Sequence, residues 1–221
     1  MHTWQNVLVV IKGGGDLASG VAYRLKRAGF PLVILEQERP TAIRRAVAFA
    51  QAVFDGQTTV EGVTALRVAD AAEARRLLQG PRIPLLVDPE ARSLPQLQPM
   101  VLVDATLCKR EPTTRQGDAP FVVGLGPGFV VGVHAHAVVE TQRGHSLGRV
   151  LWSGSATPDS GAPGLVGGKG AERVLRAPTA GPFRALQSIG QLVSAGEAVA
   201  LVGDAPVTAP FAGVLRGLLA D

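Results

Sequence analysis

The first forty residues alternate between continuous apolar runs and a helical pattern. Residues 7–11 form an unbroken apolar, β-branched run, which is typical of a strand buried on both faces. After a glycine-rich turn, apolar residues recur with helical spacing at Leu17, Val21, Leu25 and Ala28. A second apolar run at 31–35 then ends at Glu36. This order of strand, glycine-rich turn, helix, strand and acidic residue predicts a mononucleotide-binding βαβ unit.

Similar elements continue to about residue 120. The spacing of apolar residues predicts helices over about 41–53 and 71–78. Two further apolar runs are each followed by an aspartate, Asp88 and Asp104. Because open α/β sheets bind ligands at the carboxyl ends of their strands, these aspartates are candidates for a site. We therefore predict an α/β protein with a Rossmann-like N-terminal half and a parallel sheet.

Beyond residue 120 helical periodicity fades and short β-prone runs appear, followed by a glycine- and proline-rich stretch at 154–170. The β-rich end of the chain resembles the barrel-sandwich hybrid of biotinyl and lipoyl carrier domains. Such carriers need an exposed lysine, and the last lysine is Lys169, so a docking or structural role is the better interpretation. We predict three regions: a Rossmann-like domain at 1–120, a glycine-rich β/loop region at 121–170 and a small β module at 171–221.

Composition narrows the classes of function. The 22 basic residues are scattered and the net charge is only +4, which favours small anionic ligands over nucleic acid. The single cysteine, Cys108, excludes an intrachain disulfide framework and a cysteine-rich metal site. No apolar segment reaches the roughly 18 residues of a membrane span, and no signal peptide is evident, so we expect a cytoplasmic protein.

The first glycine-rich turn contains Gly13, Gly14 and Gly15 and matches a dinucleotide-binding fingerprint. At Gly15 the backbone would approach a phosphate, which the exposed N–H groups of the following helix would attract. Glu36 stands where an acidic residue would contact a ribose hydroxyl, although it could instead be a solvated charge. Asp16 would place like charge beside a phosphate, or cap the helix instead.

A second constellation begins at GLGPGF, where Gly126 and Gly128 would form either an anion-binding backbone nest or a tight turn. Three of the four histidines follow within twelve positions. On a strand, His134 and His136 would share one face with Glu140. This set could bind a divalent metal, but we expect a polar binding or acid–base cluster instead. Its candidates are His136, Glu140, Arg143 and His145.

A third constellation, DATLCKR, follows a predicted buried strand. Asp104 and Thr106 would line the same crevice as the first glycine-rich turn. Cys108 beside two basic residues could be a nucleophile, but a lone cysteine is more commonly a small hydrophobic residue, and we assign it no role.

Several stretches resemble one family in the same order: IKGGGDLASGVAYRLKRAGFPLVILE, RPTAIRRAVAFAQAVFDG, VDATLCKREP, GLGPGF, HAVVETQRGHSLGRV and APFAGVLRGLL. They resemble the YqeB-type accessory proteins of selenium-dependent molybdenum hydroxylase systems, over nearly the whole chain. Members of that family differ at the position of His134 and continue beyond that of Asp221. The signature stretches contain Gly13, Gly15, Asp16, Arg44, Arg45, Gly126, Gly128, His136, Glu140, Thr141, Arg143 and His145.

The resemblance implies a role in maturing or supplying a molybdenum hydroxylase of the xanthine dehydrogenase kind, with the apoenzyme or its maturation machinery as partner. We expect the N-terminal half to hold a nucleotide-like ligand, of NAD(P) or pterin-nucleotide type. Arg44 and Arg45 would supply counter-charges, and the histidine cluster a second polar wall. An NAD(P)-dependent oxidoreductase and a non-catalytic assembly scaffold remain alternatives, so whether the protein is an enzyme stays open.

Overall fold

The computed structural model describes residues 4–107 and 111–221. The predictions for Cys108 and its two basic neighbours therefore lie outside the described residues. The chain divides into two compact units. Unit 1 comprises Met1–Pro40 and Val47–Asp159, and unit 2 comprises Thr41–Ala46 and Ser160–Asp221. The predicted boundary at 120 thus falls inside unit 1, and the predicted region 121–170 is shared between the units.

A nine-stranded sheet forms the centre of unit 1. In chain order its strands are β1 Val9–Lys12, β2 Leu32–Glu36, β3 Gln57–Val60, β4 Val63–Val68, β5 Ile83–Val87, β6 Val101–Asp104, β7 Phe121–Leu125, β8 Ala137–Val139 and β9 Val150–Leu151. Their order across the sheet is β3-β4-β5-β2-β1-β6-β7-β8-β9. All neighbouring pairs are parallel except the antiparallel edge pairs β3–β4 and β8–β9. The predicted α/β fold with a parallel sheet is confirmed.

Helices are few and, apart from the first, short. They are α1 Asp16–Arg27, α2 Ala52–Asp55, α3 Ala71–Leu77 and α4 Leu94–Leu97, with 3₁₀ turns at Trp4–Asn6, Arg45–Val47, Phe49–Gln51, Gln116–Asp118 and Ala171–Arg173. Within the described ranges, none combines the length and hydropathy that crossing a bilayer requires.

The helix predicted over 41–53 is wrong. The backbone is extended at Ala48, which separates two 3₁₀ turns. The N–H of Phe49 donates to the Ser19 hydroxyl at 2.7 Å, a long-range bond that replaces a helical one. Ile43 and Val47, two of the apolar residues whose spacing predicted this helix, are exposed. The segment also passes from unit 2 into unit 1, so it has no single core to pack against.

Side chains of the central strands alternate between two hydrophobic cores, one on each face of the sheet. One core contains Val9, Ile11, Leu32, Ile34, Phe49 and Val103. The other contains Val10, Val33, Leu35, Leu97, Leu102, Val122 and Phe129. By the same alternation Glu36 belongs to the first face, which α1 covers, whereas Lys12 and Asp104 belong to the second, which α3 and α4 cover.

The arrangement around β1 creates a topological switch point. The chain passes from β1 to β2 on one side and later places β6 on the other, so that Lys12 pairs with Leu35 and with Asp104. Ligands of open α/β sheets bind outside the carboxyl ends of strands at such a point. The end of β1, where the glycine-rich turn begins, is therefore the place to look for a site.

Unit 2 is built from short antiparallel strands. They are β10 Phe183–Ala185, β11 Leu192–Val193, β12 Ala198–Val202, β13 Ala205–Thr208 and β14 Gly213–Val214. A three-stranded sheet has the order β10-β12-β13, and β11 pairs with β14. Their core consists of Val193, Val199, Ala200, Ala209, Leu215 and Leu218. The predicted β-rich C-terminal part is confirmed.

Candidate ligand-binding site

Four loops follow the carboxyl ends of adjacent parallel strands β1, β6, β7 and β8, at residues 13–15, 105–107, 126–128 and 140–143. The loops are in close contact. A Cβ atom on Gly13 would lie 3.1 Å from the Ala105 carbonyl oxygen, and one on Gly126 would lie 2.6 Å from Thr141 Oγ1. The structure therefore brings segments of all three predicted constellations to one edge of the sheet.

Gly13 and Gly14 are fixed by backbone geometry and close packing. Gly13 has a φ of 99° and donates its N–H to the Leu35 carbonyl at 2.7 Å. Gly14 donates to Glu36 Oε2 at 2.7 Å, and its carbonyl accepts from the N–H of Ala50 at 2.8 Å. A Cβ on Gly14 would lie 3.1 Å from the Ala50 nitrogen. These two glycines therefore allow the backbone at Ala105 and Ala50 to pack closely against the turn.

Gly15 is different because it faces open space. It has a φ of −62°, which any L-residue adopts, and a Cβ placed on it would meet nothing within 4 Å. Gly15 is the N-cap of α1, and its carbonyl accepts the N–H of Ser19 at 2.8 Å. Among the described residues, its own N–H has no hydrogen-bond partner. Since first-turn N–H groups lack intrahelical partners and the dipole favours negative charge, this end of α1 suits an anion.

Glu36 faces the glycine-rich turn rather than solvent. It is 9% exposed, and its carboxylate accepts from the N–H groups of Gly14 and Gln37, each at 2.7 Å. Burial raises the pKa of Glu36 above its ordinary value, although these two N–H groups oppose the shift. The solvated-charge interpretation is therefore wrong, because the carboxylate holds the turn in place.

Asp104, at the end of β6, is buried, and both of its carboxylate oxygens accept hydrogen bonds. It accepts from the Thr106 N–H at 3.0 Å, the Thr106 hydroxyl at 2.6 Å and the Thr114 hydroxyl at 2.6 Å. Beside it on β1, Lys12 is only 8% exposed and donates to Thr113 Oγ1 at 2.9 Å. Lys12 is not among the residues predicted for a site, although one signal was available: a charged residue that directly joins an apolar run to a glycine-rich turn.

The second glycine-rich loop is filled by the protein's own side chains. A Cβ on Gly124 would lie 2.3 Å from the ring of Phe129, and Gly126 has a φ of 79° in addition to its contact with Thr141. Gly128 also has a positive φ, of 95°. These contacts favour the tight-turn interpretation of the loop over the anion-binding nest.

His134 lies in a turn and His136 in a bend before β8, not on a strand, so the parity that grouped them with Glu140 does not apply. The His136 Nδ1 accepts from the Val122 N–H at 3.0 Å, and the His134 Nδ1 accepts from the Val130 N–H at 3.0 Å. Each neutral ring therefore carries its proton on Nε2. Over residues 4–107 and 111–221, no three His, Cys, Asp or Glu side chains are grouped to hold a metal ion.

Glu140 joins chain segments together. Its carboxylate accepts from the Gln142 N–H, the Thr157 N–H and the Thr157 hydroxyl, at 2.8, 2.8 and 2.7 Å. Burial alone would raise the pKa of Glu140, but these hydrogen bonds outweigh it and lower the pKa. Arg143 and His145 lie exposed in the following loop. The structure thus gives Glu140 and His136 separate backbone partners.

Arg44 and Arg45 belong to unit 2. The Arg45 Nε donates to the Leu218 carbonyl at 3.0 Å, and the Leu218 N–H donates to the Ile43 carbonyl at 2.8 Å. Arg45 therefore holds the C-terminal segment of its own unit.

Comparison with known proteins gives one informative similarity. The chain is 50% identical over 220 residues to "Uncharacterized protein YqeB" of Escherichia coli (strain K12). This supports a YqeB-like family. The alignment covers 100% of the chain and 41% of the relative, so the chain spans about two fifths of that protein's length. No protein-family model matches the chain, and neither does any solved structure.

Proposed function

We propose that the chain is a ligand-binding accessory protein for a molybdenum hydroxylase, and that unit 1 holds a nucleotide-like, phosphate-bearing ligand at the switch point. The observation that carries the proposal is the open position at Gly15. It lies at the N-terminus of the 12-residue helix α1, directly after the strand that forms the switch point.

The contacts indicate how a phosphate would be held. Since Gly14 already donates its N–H to Glu36, the donors for a ligand begin at Gly15 and continue into the first turn of α1. Positive helix-terminal charge in this turn stabilises a phosphate, as in other strand–turn–helix sites.

The link to molybdenum hydroxylases rests on the family resemblance together with the 50% identity to the YqeB protein. In this proposal the chain delivers or protects a ligand, and a hydroxylase apoenzyme or its maturation machinery receives it. No catalytic step is assigned, because His136 and Glu140 are both hydrogen-bonded to backbone groups of their own unit.

The first test is to purify the protein gently, denature it, and analyse the released material by mass spectrometry and elemental analysis. A nucleotide, a pterin, or a molybdenum or selenium species in near-stoichiometric amount is the expected result. If nothing is released, the apoprotein is titrated with NADH and ADP by calorimetry. Release of nothing and binding of neither probe would overturn the proposal in favour of an assembly scaffold.

A pair of variants locates the phosphate. Gly15→Val fills the open position, and we expect the retained ligand or the affinity for NADH to fall about tenfold or more, since one tenfold step is about 1.4 kcal/mol. Gly20→Val is the matched control: it is exposed on the same helix, and its Cβ also meets nothing within 4 Å. Equal binding by both variants, with both folded, would place the phosphate elsewhere.

A further inference from the structure

An open cavity of about 940 Å³ lies on the side of the sheet covered by α3 and α4, the opposite side from Glu36 and α1. Much of its lining is apolar, from Leu94, Pro95, Pro99, Met100 and Pro120. The lining also includes Lys12 and Thr113. This combination of apolar walls and a few polar groups is characteristic of sites for small organic molecules.

Lys12 is the unusual member of the lining. The residue as a whole is 8% exposed, and its ammonium, with three N–H donors, makes one described hydrogen bond, a partly buried one to Thr113 Oγ1. Within residues 4–107 and 111–221 it has no carboxylate ion pair, and the nearby Asp104 accepts instead from Thr106 and Thr114. Two ammonium donors therefore remain for a partner that the described chain does not supply.

An ammonium at the wall of a cavity, with no described carboxylate beside it, favours an anionic partner. The Thr113 hydroxyl accepts from Lys12, which leaves its own proton to be donated. Lysine and threonine together thus present an ammonium and a hydroxyl as hydrogen-bond donors toward the cavity. An anionic oxygen group satisfies both residues.

We propose that this cavity binds a small molecule that carries one anionic group, a carboxylate or a phosphate, on an apolar body. The anionic group accepts hydrogen bonds from Lys12 and Thr113. The apolar body packs against Leu94, Pro95 and Met100. Glu90 and Asp118, which also line the cavity, disfavour a second anionic group.

The site is independent of the proposed phosphate position. Lys12 belongs to the face covered by α3 and α4, whereas Gly15 begins α1 on the other face. Gly15→Val therefore tests one site and Lys12→Met the other, so that failure of either proposal leaves the other standing.

The test uses two fluorescent probes with the same aromatic body. Anilinonaphthalene sulfonate carries one anionic group, and phenylnaphthylamine carries none. We expect Lys12→Met to weaken binding of the sulfonate by about tenfold or more, because a charge-assisted hydrogen bond is lost. Binding of the neutral probe should be unchanged, and Lys12→Arg should retain the sulfonate.

Two controls keep the result interpretable. Lys26→Met removes another partly buried lysine of unit 1, whose ammonium donates to the Gly80 carbonyl, and should leave both affinities unchanged. Gly117→Phe fills the cavity while Lys12 remains, since a Cβ on Gly117 would meet nothing within 4 Å, and should weaken both probes. Thermal melts confirm that each variant is folded.

Wild-type affinity for the sulfonate in folded Lys12→Met, or for both probes in folded Gly117→Phe, would overturn the proposal. If the variants behave as expected, competition with small anions identifies the anionic group. Displacement by phenyl phosphate indicates a phosphate ligand and displacement by benzoate a carboxylate. Displacement by neither would show that the cavity does not select these anions.

Discussion

The two glycine-rich loops of unit 1 resemble each other in sequence but use glycine for different physical reasons. In the second loop the space beside Gly124 and Gly126 is already occupied, with the Phe129 ring 2.3 Å from where a Cβ of Gly124 would stand. At 13–15 the last glycine, Gly15, faces nothing within 4 Å and has an ordinary φ. A glycine whose Cβ position is occupied by other atoms of the protein is required for packing. A glycine whose Cβ position is empty leaves room for a ligand.

A buried carboxylate lies beside each loop, and the pKa values of the two carboxyl groups are shifted in opposite directions. Glu36, at the first loop, accepts two backbone N–H groups, and burial raises its pKa. At Glu140, near the second loop, burial opposes three described hydrogen bonds, which prevail and lower its pKa. The pKa of the carboxyl group is thus raised at the first loop and lowered near the second.

Gly124→Ala should have the largest effect on stability. Its methyl group would overlap the Phe129 ring on a central strand, so the free energy of unfolding should fall by about 3 kcal/mol. Urea denaturation followed by circular dichroism measures it. A decrease in the free energy of unfolding of less than about 1 kcal/mol would mean that the second loop can accommodate a methyl group, which would contradict the contrast between the loops.

Glu140→Gln should cost about 1–3 kcal/mol at neutral pH, because an amide cannot accept at both ends from the Gln142 and Thr157 donors. A carboxylate with a lowered pKa stabilises the folded state above its ordinary pKa and loses this contribution as the pH falls through the lowered value. The difference from wild type should therefore shrink on acidification. A pH-independent difference would exclude a role for the ionised form.

Glu36→Gln should have a smaller effect, of about 1 kcal/mol, with the opposite dependence on pH. Because the pKa of Glu36 is raised, wild type is penalised as the pH rises from the ordinary glutamate value through the raised one. The variant should gain on wild type over that interval. Denaturation of both proteins across the acid-to-neutral range tests this, and a parallel response would contradict it.

Gly15→Ala should change stability least, by about 0.5 kcal/mol, the cost of a poorer N-cap residue. A Cβ there contacts nothing, so no packing penalty is added. A loss comparable to that of Gly124→Ala would show that the open position is closed in solution. Thermal unfolding of the two alanine variants side by side decides the point.

The strand–turn–helix–strand unit was predictable because its pattern is local. The apolar runs that became β1 and β2, and the helical spacing that became α1, need no distant partner to be recognised. The prediction of a helix over 41–53 was wrong because the N–H of Phe49 donates to the hydroxyl of Ser19, which is distant in sequence. His134 and His136 do not lie on the predicted strand, because the chain turns just before them at Gly132, which has a φ of 86°.

The candidate sites were predictable only in part. The carboxyl ends of strands pointed to Asp104 and to the glycine-rich turn, and both lie at the switch point. The contact of Glu36 with Gly14 and the burial of Lys12 depend on strand order and register, which one sequence does not reveal. Likewise, only the neighbouring side chains distinguish a glycine required for packing from one that faces open space.

The pairing of β1 with β6 also bears on how the protein folds. β1 meets β2 after a short helical crossover, but it meets β6 only after most of the first hundred residues have been placed, since Val9 pairs with Val101. Contacts between such distant segments form slowly because a long loop must close first. Both the proposed phosphate position and the Lys12 cavity lie beside the pairing of β1 with β6. A ligand at either place would therefore bind only chains in which this pairing has formed, and it would stabilise them against unfolding.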